Sequence, residues 1–417
     1  MSDKEISVSF KDFGFNDNLN EGLDAMGFEK PTPIQEKAIP KINAGKDLIA
    51  CAQTGTGKTA AFILPILNRL CYETERQKVN TIVLAPTREL VIQIDQQIEG
   101  FSYFTESTSI PVYGGGSGDD FSTQKKALIN GADIIICTPG RLISHLNFNY
   151  FDTSGIKHLI LDEADRMLDM GFYDDIIKIA KKLPNRRQNL LFSATMPPKI
   201  RNLAKTLLYK PDQVNIAISK PAEKIKQEAY LVYNSQKLNL LLNLINGHES
   251  EHVLIFSSTK RGVKDITSAL IKKGVKVGSI HSDLEQKDRE SVLLDFKSKT
   301  TPILVATDIL SRGIDIDGIE LVINYDIPRD AEDYVHRIGR TARAERSGQA
   351  ITFINQDEII YFKKIERLIE KEVEKIDLPD GFEPGPKYEL PPKQSKKGFR
   401  KKSYPKGKQN KHRPTKR

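Results

Sequence analysis

The sequence has 417 residues, of which 39% are hydrophobic and 28% charged, with a net charge of +8. At roughly 150 residues per domain, this length predicts two or three domains. No apolar stretch approaches the roughly 18 residues of a membrane-spanning helix, and residues 1–10 lack the basic flank and apolar core of a secretory signal. We therefore expect a cytoplasmic protein without membrane contacts. The three cysteines, Cys51, Cys71 and Cys137, form no CxxC pair, which argues against a disulfide framework or a zinc site.

Short apolar runs alternate with segments of helical periodicity, a pattern typical of βα units around a parallel sheet. The predicted strands of the first half are Leu48–Cys51, Ile82–Ala85, Ile134–Cys137, Leu159–Leu161 and Leu190–Phe192. Those of the second half are Val253–Phe256, Val275–Ile280, Ile303–Ala306, Leu321–Asn324 and Ala350–Ile354. The sequence thus predicts an α/β protein with domains at residues 1–208 and 223–378, joined by a polar, proline-containing linker at 209–222.

The positive charge is concentrated at the C-terminal end. Residues 387–417 contain 13 Lys and Arg against the single acid Glu389, a net +12, which leaves about −4 for the rest of the chain. Few large aliphatic side chains occur in residues 379–417, so we expect a disordered basic tail there. Its cations alternate with aromatic residues, which favours nonspecific RNA contacts over a merely solubilising role; these residues are Tyr388, Phe399 and Tyr404.

A phosphate-binding loop is indicated directly after the first predicted strand. Its residues are Ala52, Gln53, Thr54, Gly55, Thr56, Gly57, Lys58 and Thr59. Glycines let backbone N–H groups approach phosphate oxygens, and the N-terminus of the following helix adds positive potential. Lys58 is predicted to reach the β- and γ-phosphates of ATP, and Thr59 to offer its hydroxyl to Mg²⁺. Ala52 replaces the first glycine of the strict pattern; the alternative is a glycine-rich turn without a ligand.

An acidic pair follows the predicted strand Leu159–Leu161. Asp162 is predicted to hold Mg²⁺, and Glu163 to orient or deprotonate the attacking water. The alternative for an isolated Asp-Glu pair is a solvated turn. The position at the end of an apolar strand, in a chain that also has a phosphate-binding loop, favours the catalytic interpretation.

Polar clusters follow the carboxyl ends of six apolar runs. They begin at Pro86, Thr138, Ser193, Ser257, His281 and Thr307. Ligands of parallel α/β sheets bind at this edge, so two such edges facing each other predict a cleft. Any one cluster alone is more simply a loop cap.

A basic segment at Tyr334–Arg343 is predicted to lie across this cleft. Arg337, Arg340 and Arg343 are spaced by three residues, which places them on one helix face. Arg340 and Arg343, with His336 from the same segment, are predicted to act on the transferring phosphoryl group. The alternative is a surface helix with salt bridges.

With these motifs, the chain resembles the DEAD-box RNA helicases, whose name spells Asp162 to Asp165. The resemblance covers about residues 8–375, and within the family it is similar to the bacterial RhlE-like branch. It implies two RecA-like P-loop NTPase domains, with ATP and RNA bound across the cleft between them. It also implies local separation of short duplexes.

The resemblance implies roles for further residues. Gln35 would bind the adenine and Phe10 would stack on it, while Asp315 would lie near the ribose. Ser193 and Thr195 would couple hydrolysis to unwinding. Positions matching the family's RNA path or its supporting contacts are Arg88, Gly115, Gly116, Thr138, Gly140, Arg141, Gln286, Arg289 and Thr307. Contacts of this kind go mainly to phosphate and 2′-hydroxyl groups, which predicts weak sequence preference.

Two other functions remain open from the sequence. An RNA-binding clamp would use ATP to lock the lobes on RNA with little unwinding. A DNA helicase on the same lobes is disfavoured by the DEAD sequence and by Phe28–Gln35, which resembles the family's adenine-reading segment. The sequence does not select a particular RNA, a protein partner or an oligomeric state.

Overall fold

The computed structural model describes residues 8–52, 55–73, 79–115, 118–216, 225–247, 252–308, 318–341 and 348–390. They form two α/β lobes, each built on a seven-stranded parallel sheet. Within the described ranges, no helix has both the length and the apolar composition needed to cross a membrane.

The strands of the first lobe are β1 Leu48–Cys51, β2 Thr81–Leu84, β3 Ser109–Val112, β4 Ile134–Cys137, β5 His158–Leu161, β6 Gln188–Ser193 and β7 Asp212–Asn215. Those of the second lobe are β8 Ile225–Leu231, β9 Val253–Phe256, β10 Val277–Ile280, β11 Ile303–Ala306, β12 Leu321–Asn324, β13 Gly348–Ile354 and β14 Glu374–Ile376. The sheets run β3-β4-β2-β5-β6-β1-β7 and β10-β11-β9-β12-β13-β8-β14. Numbered within its own lobe, each sheet has the same order, 3-4-2-5-6-1-7.

Helices cover both faces of each sheet. The first lobe has a 3₁₀ helix at Phe10–Phe13 and α-helices at Asp17–Ala25, Pro33–Asn43, Lys58–Leu70, Arg88–Phe101, Gly118–Asn130, Pro139–Asn147, Ala164–Asp169, Tyr173–Lys182 and Pro198–Leu207. The second lobe has α-helices at Asn234–Gly247, Lys260–Lys272, Gln286–Lys297, Ala331–Ile338 and Ile359–Ile369. Several begin at a side-chain cap, such as Thr87, whose hydroxyl accepts a bond from Leu90 N–H.

The central strands are buried on both faces. Leu48 and Ala50 pack in one apolar cluster of the first lobe, whereas Ile49 between them packs in the cluster on the other side of the sheet. Because successive side chains of a strand point to opposite faces, a strand covered on both sides must be apolar throughout. This requirement makes the central strands visible in the sequence.

The segment predicted as a linker contributes to the first sheet. Asp212–Asn215 pairs in parallel with β1, and Lys41 bonds Asp212 at 3.0 Å. The first lobe therefore extends to at least Asn215, beyond the predicted boundary at residue 208. The remainder of the predicted linker, residues 217–222, lies outside the described ranges.

The start of the predicted disordered tail packs on the second lobe. Phe382 lies against one apolar cluster, and Tyr388 against another, with its hydroxyl 2.5 Å from Glu366 Oε2. The prediction of disorder from residue 379 is therefore wrong up to Leu390, because two aromatic side chains anchor this stretch. The predicted base-stacking role of Tyr388 is wrong for the same reason. Residues 391–417 lie outside the described ranges.

Candidate nucleotide and RNA site

The predicted phosphate-binding loop lies at the carboxyl end of β1, where the helix Lys58–Leu70 begins. Gly55 and Gly57 have φ values of +81° and +88°, which L-amino-acid side chains disfavour. Ala52 N–H donates to Ser193 O at 3.0 Å, tying the loop to β6. Lys58 is only 6% exposed, and its Nζ has no hydrogen-bond partner among the described residues.

The segment predicted to read adenine, Phe28–Gln35, is fastened to this loop. Thr32 Oγ1 donates to Thr56 O at 2.8 Å, and Gln35 Nε2 donates to Gly57 O at 3.1 Å. Gln35 Oε1 accepts from Thr32 N–H at 2.8 Å, so the amide is held at both ends. A Cβ on Gly57 would overlap Gln35 Nε2, which gives a second reason for glycine there. The structure shows Gln35 bracing the loop, while its contact with adenine stays a prediction.

Phe10 lies in the core of the first lobe. Its ring is 3% exposed and packs edge-to-face with Phe13 and Phe28 at centroid distances of 6.1 and 6.0 Å. This packing accounts for an aromatic residue at the position. The predicted stacking of Phe10 on adenine stays a prediction.

The acidic pair ends β5 as predicted. Asp162 is 3% exposed, and burial raises the pKa of its carboxyl to about 6, against the lowering effect of Lys58. Glu163 occupies the left-handed region with φ +48°, and its N–H donates to Asp162 Oδ1 at 2.9 Å. Glu163 Oε2 is buried without a hydrogen-bond partner among the described residues. Strained backbone and unsatisfied buried polar atoms are features of reactive sites, which favours the catalytic interpretation over a solvated turn.

These residues fit a nucleotide with Mg²⁺. Among the residues that the structure describes, no group of three His, Cys, Asp or Glu side chains is arranged to hold a metal. Mg²⁺ commonly binds through one or two carboxylates together with substrate phosphates, so Asp162 and Thr59 supply a sufficient protein share. The unpartnered ammonium of Lys58 fits a phosphate oxygen in the same way.

A hydrogen bond joins the acidic segment to the predicted coupling segment. Asp165 Oδ2 accepts from Thr195 N–H at 3.1 Å, and Ser193 Oγ donates to Thr195 O at 2.8 Å. These bonds tie Asp165 to the end of β6. The functional roles of Ser193 and Thr195 stay predictions.

The second lobe faces the phosphate-binding loop through the helix Ala331–Ile338. The pKa of the Cys51 thiol is raised mainly by burial, and Asp165 and Glu332 add to the effect, which places Glu332 near the end of β1. His336 lies half-buried on the same helix. The helix brings this predicted catalytic segment toward the nucleotide site.

The prediction that three arginines share a helix face is wrong. The helix ends at Ile338, and Arg340 lies in the following turn, where its N–H donates to Arg337 O at 3.1 Å. Arg337 makes a bidentate contact with Asp308 at 2.5 and 2.6 Å, so it holds the second lobe together. Arg340 is 4% exposed. The predicted site residues Gln53, Thr54, Gly116, Asp315 and Arg343 lie outside the described ranges.

The predicted RNA contacts of the first lobe are linked side by side. The Arg88 guanidinium lies 4.5 Å from the Tyr113 ring centroid, and Gln124 Nε2 donates to Tyr113 O at 3.1 Å. Gln124 Oε1 accepts from Arg141 Nε at 2.8 Å. Gly115 has φ +90° and leaves room for Arg88. A Cβ at this position would lie only 2.9 Å from Arg88 Nη1. Thr138 occupies the N-cap position of the helix that carries Gly140 and Arg141, without a side-chain capping bond.

The second lobe adds two predicted RNA positions. Arg289 Nη1 lies 3.4 Å from Glu89 Oε1 of the first lobe, so this residue bridges the lobes. Thr307 is 8% exposed at the end of β11, and its N–H donates to Ile280 O at 3.3 Å. The side chain of Gln286 is not among those described.

All six polar clusters lie at the carboxyl ends of strands, as predicted, yet part of their chemistry is internal. Ser257 Oγ donates to Asp326 Oδ2 at 2.9 Å, and Asp326 also pairs with Lys237 at 3.1 Å. Lys260 and Lys264 both bond Asp283 at 2.9 Å, and these hydrogen bonds lower the pKa of that carboxyl to about 2. In the second lobe, many of these polar side chains therefore bond to one another and stabilise the lobe.

The sequence interpretation missed three participants. Thr32 fastens the loop, Gln124 joins Tyr113 to Arg141, and Asp165 binds Thr195. Gln124 lies within an ordinary helical pattern and offers no sequence signal. Thr32 and Asp165 stand inside recognised motifs, but their partners are distant in sequence.

Together, the fold and the site define a two-lobed P-loop nucleotide hydrolase. Residues 32–203 match the family model "DEAD/DEAH box helicase", and residues 236–345 match "Helicase conserved C-terminal domain". The ATP-dependent RNA helicase CshA of Listeria monocytogenes is 42% identical over 373 residues, covering 89% of this chain and 71% of CshA. The chain therefore belongs to the DEAD-box family of ATP-dependent RNA helicases.

Solved structures agree with this assignment. The chain superposes on S. cerevisiae Dbp5 bound to RNA and ADP BeF3 with a TM-score of 0.79 at 32% identity, covering 88% of this chain and 95% of that one. It superposes on Mss116p bound to ssRNA and AMP-PNP with a TM-score of 0.79 at 28% identity, covering 90% and 80%. The two RecA-like domains predicted from the sequence are confirmed.

Proposed function

We propose that this chain binds ATP and RNA between its two lobes and couples ATP hydrolysis to local unwinding of RNA duplexes or remodelling of RNA–protein complexes. The observation that supports this proposal best is the pair of buried, unpartnered groups, Lys58 Nζ and Glu163 Oε2. An unsatisfied buried polar atom costs about 1–3 kcal/mol, so a partner that completes both groups is favoured. A triphosphate and an attacking water supply these partners.

The chain's own residues account for the chemistry. Lys58 and the loop N–H groups bind the phosphates, and Glu163 orients the attacking water and accepts its proton. Thr59 and Asp162 would hold Mg²⁺, which would supply positive charge to neutralise the triphosphate. Arg340 and Arg343 stabilise the charge of the transferring phosphoryl group when the lobes close.

The RNA path follows Arg88, Tyr113 and Arg141 of the first lobe and continues across to Arg289, while the buried Gln124 positions Tyr113 and Arg141. These side chains suit phosphate and sugar contacts, which carry little sequence information. We therefore propose weak sequence preference. RNA bound to both lobes favours closure, because each lobe holds part of the path.

The experiment that tests this function measures steady-state ATP hydrolysis with and without single-stranded RNA. Glu163→Gln keeps the shape of the side chain but removes its basic carboxylate, so we expect RNA-stimulated turnover to fall by about 10²- to 10⁴-fold. Glu99→Gln, an exposed change on the helix Arg88–Phe101, is the matched control and should retain full turnover. RNA-stimulated turnover that survives Glu163→Gln would contradict the assigned role.

Two further measurements separate the alternatives. The first measurement is the number of RNA duplexes separated per ATP hydrolysed. An RNA clamp holds RNA and separates few duplexes per ATP, whereas a helicase has a higher yield. A DNA helicase would be stimulated equally by DNA. RNA-specific stimulation together with efficient strand release supports the helicase function.

Three finer points are also proposed. The basic segment 391–417 acts as a nonspecific RNA tether, because its cations alternate with Phe399 and Tyr404. The protein acts in the cytoplasm. Within the family, the chain is proposed to belong to the RhlE-like branch, which its two-lobe core resembles.

A further inference from the structure

A cavity of about 840 Å³ lies at the edge of the first sheet opposite the nucleotide site. Its wall includes Asp47 and Asn189, which stand at the amino ends of β1 and β6, and it extends between the helices Tyr173–Lys182 and Pro198–Leu207. The motifs for ATP and RNA lie at the carboxyl ends of the same strands. The cavity is therefore separate from the cleft.

The lining of this cavity is strongly cationic. It contains five basic side chains and a single acid; the basic residues are Lys46, Lys181, Arg186, Arg187 and Lys210. The acid, Asp47, is already satisfied, because it accepts bonds from Asn189 N–H at 2.7 Å, Asn189 Nδ2 at 3.2 Å and Tyr209 N–H at 2.7 Å. The cations therefore dominate the local potential.

Most of these cations are available to a ligand. Lys181, Arg186 and Lys210 are exposed, and within the described part of the chain no carboxylate pairs with them. Arg187 is anchored to Pro184 O at 2.6 Å and Asn189 Oδ1 at 2.9 Å, which fixes one guanidinium in the wall. An anion entering the cavity meets one positioned cation and three exposed ones.

An exposed aromatic side chain stands beside the cations. Tyr209 is 76% exposed, and Lys210 Nζ lies 5.4 Å from its ring centroid. The backbone here is held by the bond from Tyr209 N–H to Asp47 and by the left-handed conformation of Lys210, φ +44°. An aromatic ring among cations is the arrangement that binds unpaired nucleotides, with the base stacked and the phosphates paired.

We propose that this cavity binds a second segment of single-stranded RNA, outside the cleft that hydrolyses ATP. Tyr209 stacks on a base, and Lys181, Arg186 and Lys210 contact the phosphates on either side. The proposal rests on the proposed function, since it assumes that RNA is the substrate. A strand that extends beyond the cleft is then held at two places on the first lobe.

The test compares RNA of two lengths. Full-length wild type and the triple variant Tyr209→Ala, Lys181→Ala, Arg186→Ala are titrated with 10- and 40-nucleotide single-stranded RNA, with fluorescence anisotropy as the readout. Since stacking of one base is worth about 1–3 kcal/mol, we expect affinity for the 40-mer to fall by about tenfold or more. Affinity for the 10-mer should stay within about twofold, and ATP turnover at saturating RNA should be unchanged.

A matched control carries the same changes elsewhere. Tyr72 is 66% exposed in the first lobe, and Lys272 and Lys273 are exposed in the second, so Tyr72→Ala, Lys272→Ala, Lys273→Ala removes one ring and two charges away from the cavity. Retained 40-mer affinity in this control supports a localised site. An equal loss in the control, or an equal loss for both RNA lengths, overturns the proposal in favour of general electrostatics.

Two more outcomes are decisive. If the triple variant binds the 40-mer as tightly as wild type but has lost affinity for inorganic tripolyphosphate, the cavity serves a small polyanion and the RNA assignment is wrong. If wild type neither binds RNA nor shows RNA-stimulated hydrolysis, the proposed function itself is wrong. This result differs from a failure of the cavity proposal alone, in which wild type still binds RNA and hydrolyses ATP. Crosslinks from 4-thiouridine RNA to the peptide carrying Tyr209 give a direct positive result.

Discussion

Gly57 serves two purposes at a single position. Its φ of +88° lies in the region that glycine tolerates, and its missing Cβ leaves space for the Gln35 amide that braces the loop. A larger residue would strain the backbone and overlap the Gln35 amide. The conformation of the loop and its contact with Gln35 therefore both depend on glycine at this position.

We expect Gly57→Ala to lower ATP turnover by about tenfold or more, because strain of roughly 1–2 kcal/mol and the loss of the Gln35 contact both act on the loop. Gly274→Ala is the matched control, since Gly274 has φ +78° but open space around the Cβ position. Gly274→Ala should lose roughly 1–2 kcal/mol of stability in urea unfolding, and Gly57→Ala should lose at least as much. Normal turnover in Gly57→Ala would show that the bracing contact is dispensable.

Two buried histidines make stability depend on pH. Burial lowers the pKa of His145 to about 4, with Arg141 adding to the effect, and burial likewise lowers the pKa of His158 to about 4. Unfolded histidine titrates near 6.5, so between these values the unfolded chain binds more protons than the native one. The free energy of unfolding therefore falls as pH drops from about 6.5 towards 4.

The measurement is urea unfolding at pH 7.5 and pH 5.0, followed by circular dichroism because the chain contains no Trp. Wild type should lose stability at pH 5.0. His158→Gln and His145→Gln should each lose less on acidification than wild type, and the double variant least. An identical acid effect in all four proteins would assign it to other groups.

At the scale of elements, the ten strands predicted from apolar runs are all present, within two residues at either end. Four strands escaped prediction, and three of them, β3, β7 and β14, lie at sheet edges. Edge strands are covered less completely; Asp212–Asn215 has one buried residue in four, so the apolar signal is absent. β8 is interior but carries Lys226, Gln227 and Glu228, and Glu228 is satisfied by Gln349 at 2.5 Å.

The site was predictable to a different extent. Motif residues such as Lys58 and Asp162 were found because their spacing is tied to local backbone geometry. The bonds of Thr32 to Thr56 and of Asp165 to Thr195 join distant segments, which periodicity does not reveal. The end of the arginine helix at Ile338 was missed because the sequence spacing continues through Gly339.

The segment 379–390 behaves as part of the second lobe. We expect truncation after Leu378 to destabilise that lobe by about 2–4 kcal/mol, because Phe382 and Tyr388 lose their packing. Truncation after Leu390 should leave the unfolding midpoint unchanged while it weakens RNA binding and flattens its salt dependence. Thermal unfolding and RNA titration at several salt concentrations check both. Unchanged RNA affinity and salt slope after the shorter truncation would exclude the tether.

At the scale of the whole molecule, Arg289 and Glu89 form a contact between the two lobes. Both side chains are mostly buried, at 17% and 16% exposure, so their attraction is screened less than that of a surface pair. The contact joins the helix Arg88–Phe101, which carries the predicted RNA contact Arg88, to the second lobe. It therefore favours the closed arrangement.

We expect a double-mutant cycle of Glu89→Gln and Arg289→Met to give a coupling free energy of about 1 kcal/mol in RNA affinity measured with a nonhydrolysable ATP analogue. Without nucleotide, the coupling should vanish, because open lobes do not bring these residues together. Additive effects with the analogue present would show that the pair does not stabilise closure.

The identical strand order of the two sheets, 3-4-2-5-6-1-7, lets equivalent positions of the two lobes be compared. The turn after β1 carries the Gly-Lys-Thr triplet, whereas the equivalent strand of the second lobe, β8, is followed by Val232, Tyr233 and Asn234. Of these two equivalent turns, only the one in the first lobe is suited to bind phosphates. Two lobes of the same connectivity therefore contribute unequally to one site: the first binds the phosphates, and the second approaches them from across the cleft.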